Sequence, residues 1–427
     1  MLGKFISTNL VDAKIHRPPR ILFLNTGAKH NLGDRAMLLN VLWHARQRYP
    51  TADFYVEAGI PVWMVHEFSL TPVSTMANCW ARGGDWARAP YAIASTLILR
   101  LLLVTGAYRH LPTGSMEHEL LKAIDAADLI WLVGGGYLND LGTHEARGVL
   151  STARLGQGIG RMVVMTGQGI GPFSKLYSRW LFRSVAKKAQ SIVLREPIFG
   201  MKIMATLHDK KIKVRVGVDD ACSLQSGTTE TTAPAILAMH FRRSSFHEHS
   251  EELEQALSGL VTHLVAKGER VKLFVFSERK ATEHDFYLKW KQASGNPKAV
   301  DIIEYSDPRN TLAELATCQC AIGMAYHFHL FALLSGIPSL AMYSGTYYES
   351  KYRGVDVLFE QSKSFFHYDM VDECLLKKFV GSENRLIQPE RSRSLLRTAE
   401  RLKQQASEQI DEALDHLSKF VDLPNPQ

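Results

Sequence analysis

Two histidines two residues apart, His327 and His329, lie in Ile322-Gly-Met-Ala-Tyr-His-Phe-His-Leu-Phe-Ala-Leu-Leu-Ser-Gly-Ile-Pro338. The run reads as strand, loop, helix, glycine, proline, with another strand after it. Both imidazoles fall in the loop or the first helical turn. There a group that titrates near neutral pH suits general acid–base work. Three glycine-rich turns elsewhere could hold an anion or a sugar. Asn25-Thr-Gly-Ala-Lys-His-Asn-Leu-Gly-Asp34 leaves one strand and enters a helix over 35–47. Gly33 can let backbone approach an anion, and the helix N-terminus offers amide donors. Asp34 is suited to capping that helix, yet Asn31 and Asp34 together before a helix also suit ligand contact.

Gly134-Gly-Gly136 follows an apolar run directly, and Thr166-Gly-Gln-Gly-Ile-Gly-Pro172 follows another. Gly135, Gly136 and Gly169 read as points of close backbone approach, and the Gln168 amide can bind a hydroxyl or carboxylate. No Gly-Lys-Ser/Thr follows any of the three, which excludes a Walker A loop. None fits G-x-G-x-x-G, so a nicotinamide fingerprint is absent too.

The elements that would position these residues alternate short apolar runs with helical patterns, as parallel βαβ units do. Ile21–Asn25, Asp53–Val56, Leu129–Val133, Met162–Thr166, Ser191–Arg195 and Val214–Val218 read as one sheet. Ala235–Met239, Val271–Phe276, Ile302–Tyr305, Cys320–Gly323 and Ser339–Tyr343 read as a second. The expected fold is α/β: two Rossmann-like domains facing a cleft, with ligands beyond the carboxyl ends of the strands. Residues 1–19 form an N-terminal tail and 20–226 the first domain, with a helical insertion over about 60–127. Residues 227–234 form a linker, 235–388 the second domain, 389–421 a long C-terminal helix and 422–427 a tail. The insertion carries Trp63, Trp80, Trp86, Arg82 and Arg88 ahead of the apolar Tyr91–Ala107. These are ingredients of a peripheral membrane contact through 80–107; packing on its own domain or on a second subunit is the other reading.

The 427 residues carry a formal net charge of +7, which favours anionic partners. No block of like charge and no recognised motif points to nucleic acid. Five cysteines at irregular spacings make no disulfide framework and no convincing metal site. The N-terminus lacks a long apolar run and a cleavage signal, so a cytoplasmic protein is expected.

Several of these segments, in this order, resemble the polysaccharide pyruvyl transferase family. They are Asn31-Leu-Gly-Asp34, Gly134-Gly-Gly136, Gly167-Gln-Gly-Ile-Gly-Pro172, Val193-Leu-Arg-Glu196, Asp219-Asp-Ala221 and Gly323…His327…Gly336-Ile-Pro338. Any one is generic; the ordered set is specific and spans roughly residues 20–355. The resemblance implies a fold like that of the GT-B glycosyltransferases. It also implies transfer of pyruvate from phosphoenolpyruvate to a hydroxyl pair of a polysaccharide or its lipid-linked precursor, as a ketal, with phosphate released. The donor is a substrate, and no cofactor or metal is implied. His327 matches the histidine of the family's Arg-x-His motif and is the expected acid–base residue. Arg195 matches an anion-binding arginine, and Lys351 matches the family's lysine. Asp34 or Asp219 would orient groups or take the sugar proton. Ala325 stands where the family has arginine, and Lys351 lies farther along than the family's lysine; a protonated His329 could replace the missing charge. A nucleotide-sugar glycosyltransferase and a degenerate, non-catalytic glycan-binding member are the alternatives. The peripheral attachment would be to the inner face of the cell membrane, and a homo-oligomer is left open.

Overall fold

The computed structural model describes residues 17–25, 27–28, 30–76, 89–140, 143–207, 211–228, 234–242, 250–277 and 283–418. Trp80, Arg82, Trp86 and Arg88, most of the linker, and nearly all of both tails lie outside them.

Strand-forming runs such as Ile21–Leu24 are buried on both faces, the pattern of a parallel sheet covered on each side. The first sheet consists of β1 (Arg20–Leu24), β2 (Asp53–Glu57), β3 (Leu70–Val73), β4 (Leu129–Leu132), β5 (Gly135–Leu138), β6 (Met162–Ile170), β7 (Ser191–Leu194) and β8 (Arg215–Val216). Its order is β3-β2-β1-β4-β6-β7-β8, with β5 beside β6. The second consists of β9 (Ala235–His240), β10 (Val271–Phe274), β11 (Val300–Ile303), β12 (Cys318–Gly323), β13 (Ser339–Tyr343) and β14 (Phe365–His367), in the order β11-β10-β9-β12-β13-β14. Every pairing is parallel. Strand order reverses between β1 and β4 in one sheet and between β9 and β12 in the other. Such switch points open a crevice at the carboxyl ends of the strands. Here the crevices are bordered by Asn25 and Gly134 on one side and by His240 and Met324 on the other.

The structure corrects several sequence expectations. The interval 60–127 is not wholly helical, because Val62–Phe68 leads into β3, an added edge strand. Gly135 and Gly136 start β5 rather than forming a turn, and Gly167–Ile170 continue β6. These glycines are needed for approach by distant side chains rather than for chain reversal. A Cβ at Gly167, whose φ is +54°, would stand 2.7 Å from the Asp220 carboxyl carbon. The last helix begins at Ser382 and runs through Pro389 to Ser418. Its apolar periodicity starts only after the proline, so the earlier turns left no pattern in the sequence.

That helix locks the two domains together. Leu395, Ala399, Leu402, Ala406, Ile410 and Leu417 recur at helical spacing and are buried in one core with residues of Leu32–Arg48 and Tyr326–Leu334, helices of different domains. Burying each leucine contributes about 1.5–3 kcal/mol. Gln409 donates to the Val218 carbonyl at 2.9 Å and to the Asp220 carboxylate at 2.7 Å. Asp220 also accepts from the Gly134 amide at 2.8 Å and the Thr166 hydroxyl at 2.6 Å. Burial nevertheless pushes its carboxyl up to about 7. One side chain thus ties the end of β4 and the middle of β6 to the C-terminal helix.

Candidate active site

Residues of both domains line an open cavity of about 430 Å³ between the two switch points. Asn31, Asp34, Gly136 and Arg195 come from the first domain, and Ala325, His327 and Lys351 from the second.

The glycine-rich loop after β1 does a different job from the one expected. Asn31, not Asp34, caps the helix Leu32–Arg48: its side-chain oxygen accepts from Gly33 N at 2.9 Å and Asp34 N at 3.3 Å. Leu32 N donates to the Phe276 carbonyl across the domain boundary at 3.1 Å, and Arg35 N to the Asn31 carbonyl at 3.0 Å. All four first-turn amides are therefore occupied, and this helix end has no donors left for an anion. What the loop supplies is room. A Cβ at Gly33 would stand 1.9 Å from His327 Nδ1, so only glycine lets the imidazole pack there. Asp34, freed from capping, reaches the cavity between Gly27 and Gly135. A Cβ at either would come within 2.1 Å and 3.1 Å of its carboxylate oxygens. Burial raises the Asp34 carboxyl above its ordinary range, and the Asp219 charge adds to this. His327, Arg195 and Lys351 oppose it.

Behind His327 lies Asp219, 1% exposed and out of contact with the cavity. Its Oδ2 is 3.3 Å from His327 Nε2 and 3.5 Å from an Arg195 guanidinium nitrogen, and its side chain also accepts from Ala221 N at 3.0 Å. Burial works against that carboxylate, but His327 and Arg195 outweigh it and hold its pKa below the ordinary range. Asp219 Oδ2 thus stands within ion-pair distance of an imidazole and a guanidinium together, although neither contact closes as a hydrogen bond. Arg195 also lies 4.3 Å over the Tyr326 ring. Gly169 makes space for it, since a Cβ there would come within 2.9 Å of Nε.

Three polar heads converge above Gly136. The point where a Cβ would stand is 3.1 Å from Lys351 Nζ, 3.2 Å from an Arg195 guanidinium nitrogen and 3.5 Å from the Tyr347 hydroxyl. Lys351 lies on the helix Gly345–Leu358, one turn after Tyr347, and its ammonium sits 3.9 Å over that ring. The span before Lys351 is therefore helix rather than a lengthened turn. Burial and the neighbouring Arg195 charge hold the amine well below the usual lysine range, against Asp34, Glu196 and Asp219. Two cations and a hydroxyl aimed at one glycine form a cradle for an anionic group.

Gln168 and His329 are placed elsewhere. Gln168 is fully buried, and its amide nitrogen donates to the Leu132 and Val133 carbonyls at 2.9 Å each. His329 is fully buried between Ser339 Oγ at 2.9 Å and Ser364 Oγ at 3.1 Å. Burial drives its pKa down to about 3, so it is neutral and supplies no charge in place of an arginine at 325. Among the described residues no group of His, Cys, Asp and Glu gathers to hold a metal ion.

A family model described as polysaccharide pyruvyl transferase matches residues 31–346. The chain belongs to the polysaccharide pyruvyl transferase family. Comparison with curated proteins finds none that matches. Among solved structures, a putative UDP-N-acetylglucosamine 2-epimerase from Listeria monocytogenes superposes with a TM-score of 0.59 at 12% identity, covering 96% of this chain and 100% of that one. A structure described as the glycotransferase of kitacinnamycin gives a TM-score of 0.54 at 12% identity, covering 93% and 99%. At such identities the likeness establishes the fold, that of GT-B-type glycosyltransferases and epimerases. The polysaccharide pyruvyl transferase match ends just short of Tyr347 and Lys351, although both sit in the cradle.

Sequence reasoning also missed Tyr347, Asn139, His240 and Arg242. Asn139 donates to the Gly136 carbonyl and, at 3.3 Å, to the Tyr347 hydroxyl. The four-residue spacing of Tyr347 and Lys351 on a helix was the available signal. His240 and Arg242, at and beyond the end of β9, line the cavity wall together with Ala325. Nothing local to Arg242 in the sequence marks it as a cation beside Ala325.

Proposed function

We propose that this polysaccharide pyruvyl transferase family member moves pyruvate from phosphoenolpyruvate onto two hydroxyls of a sugar, forming a ketal and releasing phosphate. The observation that carries the proposal is the convergence of Lys351, Arg195 and Tyr347 on Gly136 beside the His327–Asp219 pair. Phosphoenolpyruvate brings a phosphate and a carboxylate, which demand clustered cations with directed donors. His327, oriented by Asp219, delivers a proton to the methylene carbon, making a methyl group and an electrophilic C2. A sugar hydroxyl bonds to C2, and the C2–O bond to phosphate breaks. The second hydroxyl completes the ketal. Two hydroxyl protons leave the acceptor: one balances the proton gained by carbon, the other departs with phosphate. In this reading Asp34 takes the hydroxyl proton, which its position in the cavity wall and its raised carboxyl support. Gly33, Gly135 and Gly169 serve by giving space to His327, Asp34 and Arg195.

Lys351 gives this proposal a direct test. Its amine is depressed by burial in the free protein, and a bound dianion favours the ammonium. Donor binding is therefore expected to draw in a proton, and affinity should fall as pH rises through the depressed lysine pKa. Calorimetric titration with phosphoenolpyruvate in buffers of different ionisation enthalpy reads this directly. Heats independent of buffer at every pH from neutral up to the ordinary lysine range would remove Lys351 from the donor site, and absence of binding would reject phosphoenolpyruvate as donor.

A further inference from the structure

Over residues 93–105 the helix Ala89–Thr105 is mainly apolar, broken by Ser95, Thr96 and Arg100, and among the described residues one side of it is covered and another is not. Leu99 and Leu103 are buried in the core of the first domain, at 6% and 5% exposure. On the other side Leu97, Ile98, Leu101 and Val104 are 59–65% exposed. Trp180 and Leu176, from the helix Leu176–Ala186, add 49% and 80% exposure nearby. Contiguous exposed apolar surface of this kind marks an interaction site.

A groove of about 110 Å³ runs between this helix and its neighbours, and its charges are all of one sign. Arg100, Arg154 and Lys188 line it, and among the described residues no aspartate or glutamate does. The segment from Ser174 to Gln190 likewise holds Lys175, Arg179, Arg183, Lys187 and Lys188 without an acid. Arg154 stacks 4.5 Å over Trp180 and is repelled by Arg100 across the groove. No salt bridge to Arg100, Arg154 or Lys188 is present among the described residues.

From this charge pattern we infer that the face formed by Ala89–Thr105 and Leu176–Ala186 docks on an anionic lipid bilayer. The aliphatic side chains and Trp180 enter the interface, and the three cations sit at the level of the phosphate headgroups. The helix lies flat, since no helix among the described residues is long and apolar enough to cross a membrane. A second copy of the chain is the less suitable occupant. A two-fold contact through this patch would set its cations against their own copies, with no acid among the described lining residues to neutralise them. The helix Thr143–Gly158 carries Glu145 in the cavity wall and Arg154 in the groove, about 14 Å apart at 1.5 Å per residue, so docking brings the cleft close to the bilayer.

Co-sedimentation of the full chain with phosphatidylcholine vesicles, with and without phosphatidylglycerol, tests this without any turnover, so its outcome is separable from that of the donor reading. The full chain is expected to bind the phosphatidylglycerol vesicles at low salt, weakly bind pure phosphatidylcholine, and dissociate as salt rises. Leu97→Asp with Leu101→Asp, and separately Arg100→Glu with Lys188→Glu, should each weaken partition by about tenfold or more. All four positions line or border solvent, so melting temperature should be retained. Failure to bind anionic vesicles at low salt, or equal binding by either double variant, would overturn the inference. So would a dimer in light scattering that Leu97→Asp with Leu101→Asp dissociates, without vesicle binding by the parent chain.

Discussion

His327→Ala is expected to lower turnover by about a hundredfold or more, the usual contribution of a positioned proton donor. Donor affinity should change far less, because the cradle above Gly136 is built from Arg195, Lys351 and Tyr347. His327 is 7% exposed and makes its closest polar contact with Asp219, so its loss leaves that carboxylate with Arg195 and the Ala221 amide. The variant should therefore fold. A second substitution separates chemistry from packing. Gly33→Ala leaves the imidazole in the protein but drives a methyl to within 1.9 Å of Nδ1, so the ring must move. Displacement by about 1 Å is enough to cost on the order of a hundredfold. Gly33→Ala should thus reproduce much of the His327→Ala defect in kcat with little change in KM. Wild-type turnover in a folded His327→Ala protein would remove the residue from the mechanism.

Arg195→Lys should weaken phosphoenolpyruvate binding by roughly ten- to a hundredfold, the loss of one or two charge-assisted hydrogen bonds. The substitution keeps a cation beside Asp219, which matters because both groups are at most 2% exposed and an unpaired buried carboxylate is costly. What it removes is the planar fork that lies over Tyr326 and points at the Gly136 cradle. Lysine offers a single point charge next to Lys351, whose ammonium form burial already disfavours. Calorimetry with phosphoenolpyruvate reads the affinity, and thermal melting checks that the Asp219 pair survives. Unchanged affinity would make Arg195 a structural partner of Asp219 and nothing more.

Much of this fold was legible because parallel strands buried on both faces announce themselves as short apolar runs. Those runs at Ile21, Leu129, Met162, Ala235 and Ser339 lie in strands of the two sheets. Strands β3, β5 and β14 were not, being short, at an edge or rich in glycine. At the site, residues carried by ordered motifs could be found, and His327, Arg195, Lys351, Asp34 and Asp219 come together. Their division of labour could not. Whether Asn31 or Asp34 caps the first helix depends on one hydrogen-bond choice, and the choice of Asn31 is what frees Asp34 for the cavity. Gln168 and His329 looked equally suited to ligands, but their partners, two carbonyls and two serine hydroxyls, come mostly from remote segments. Gly33 and Gly169 are glycine because of side chains far along the chain, a requirement that no local pattern records. The same holds for Arg242, which becomes a neighbour of Ala325 only when β9 and β12 pair.

The central claim is that the cleft turns over phosphoenolpyruvate rather than a nucleotide sugar. It is tested most directly by incubating the full chain with phosphoenolpyruvate and glycan acceptors, following phosphate release and the mass of the acceptor together. The expected result is phosphate released only when an acceptor with a suitably placed pair of hydroxyls is present, one phosphate for each ketal formed, with His327→Ala abolishing both signals. The contradicting result is no acceptor-dependent phosphate from phosphoenolpyruvate, with nucleotide released instead when a nucleotide sugar replaces it.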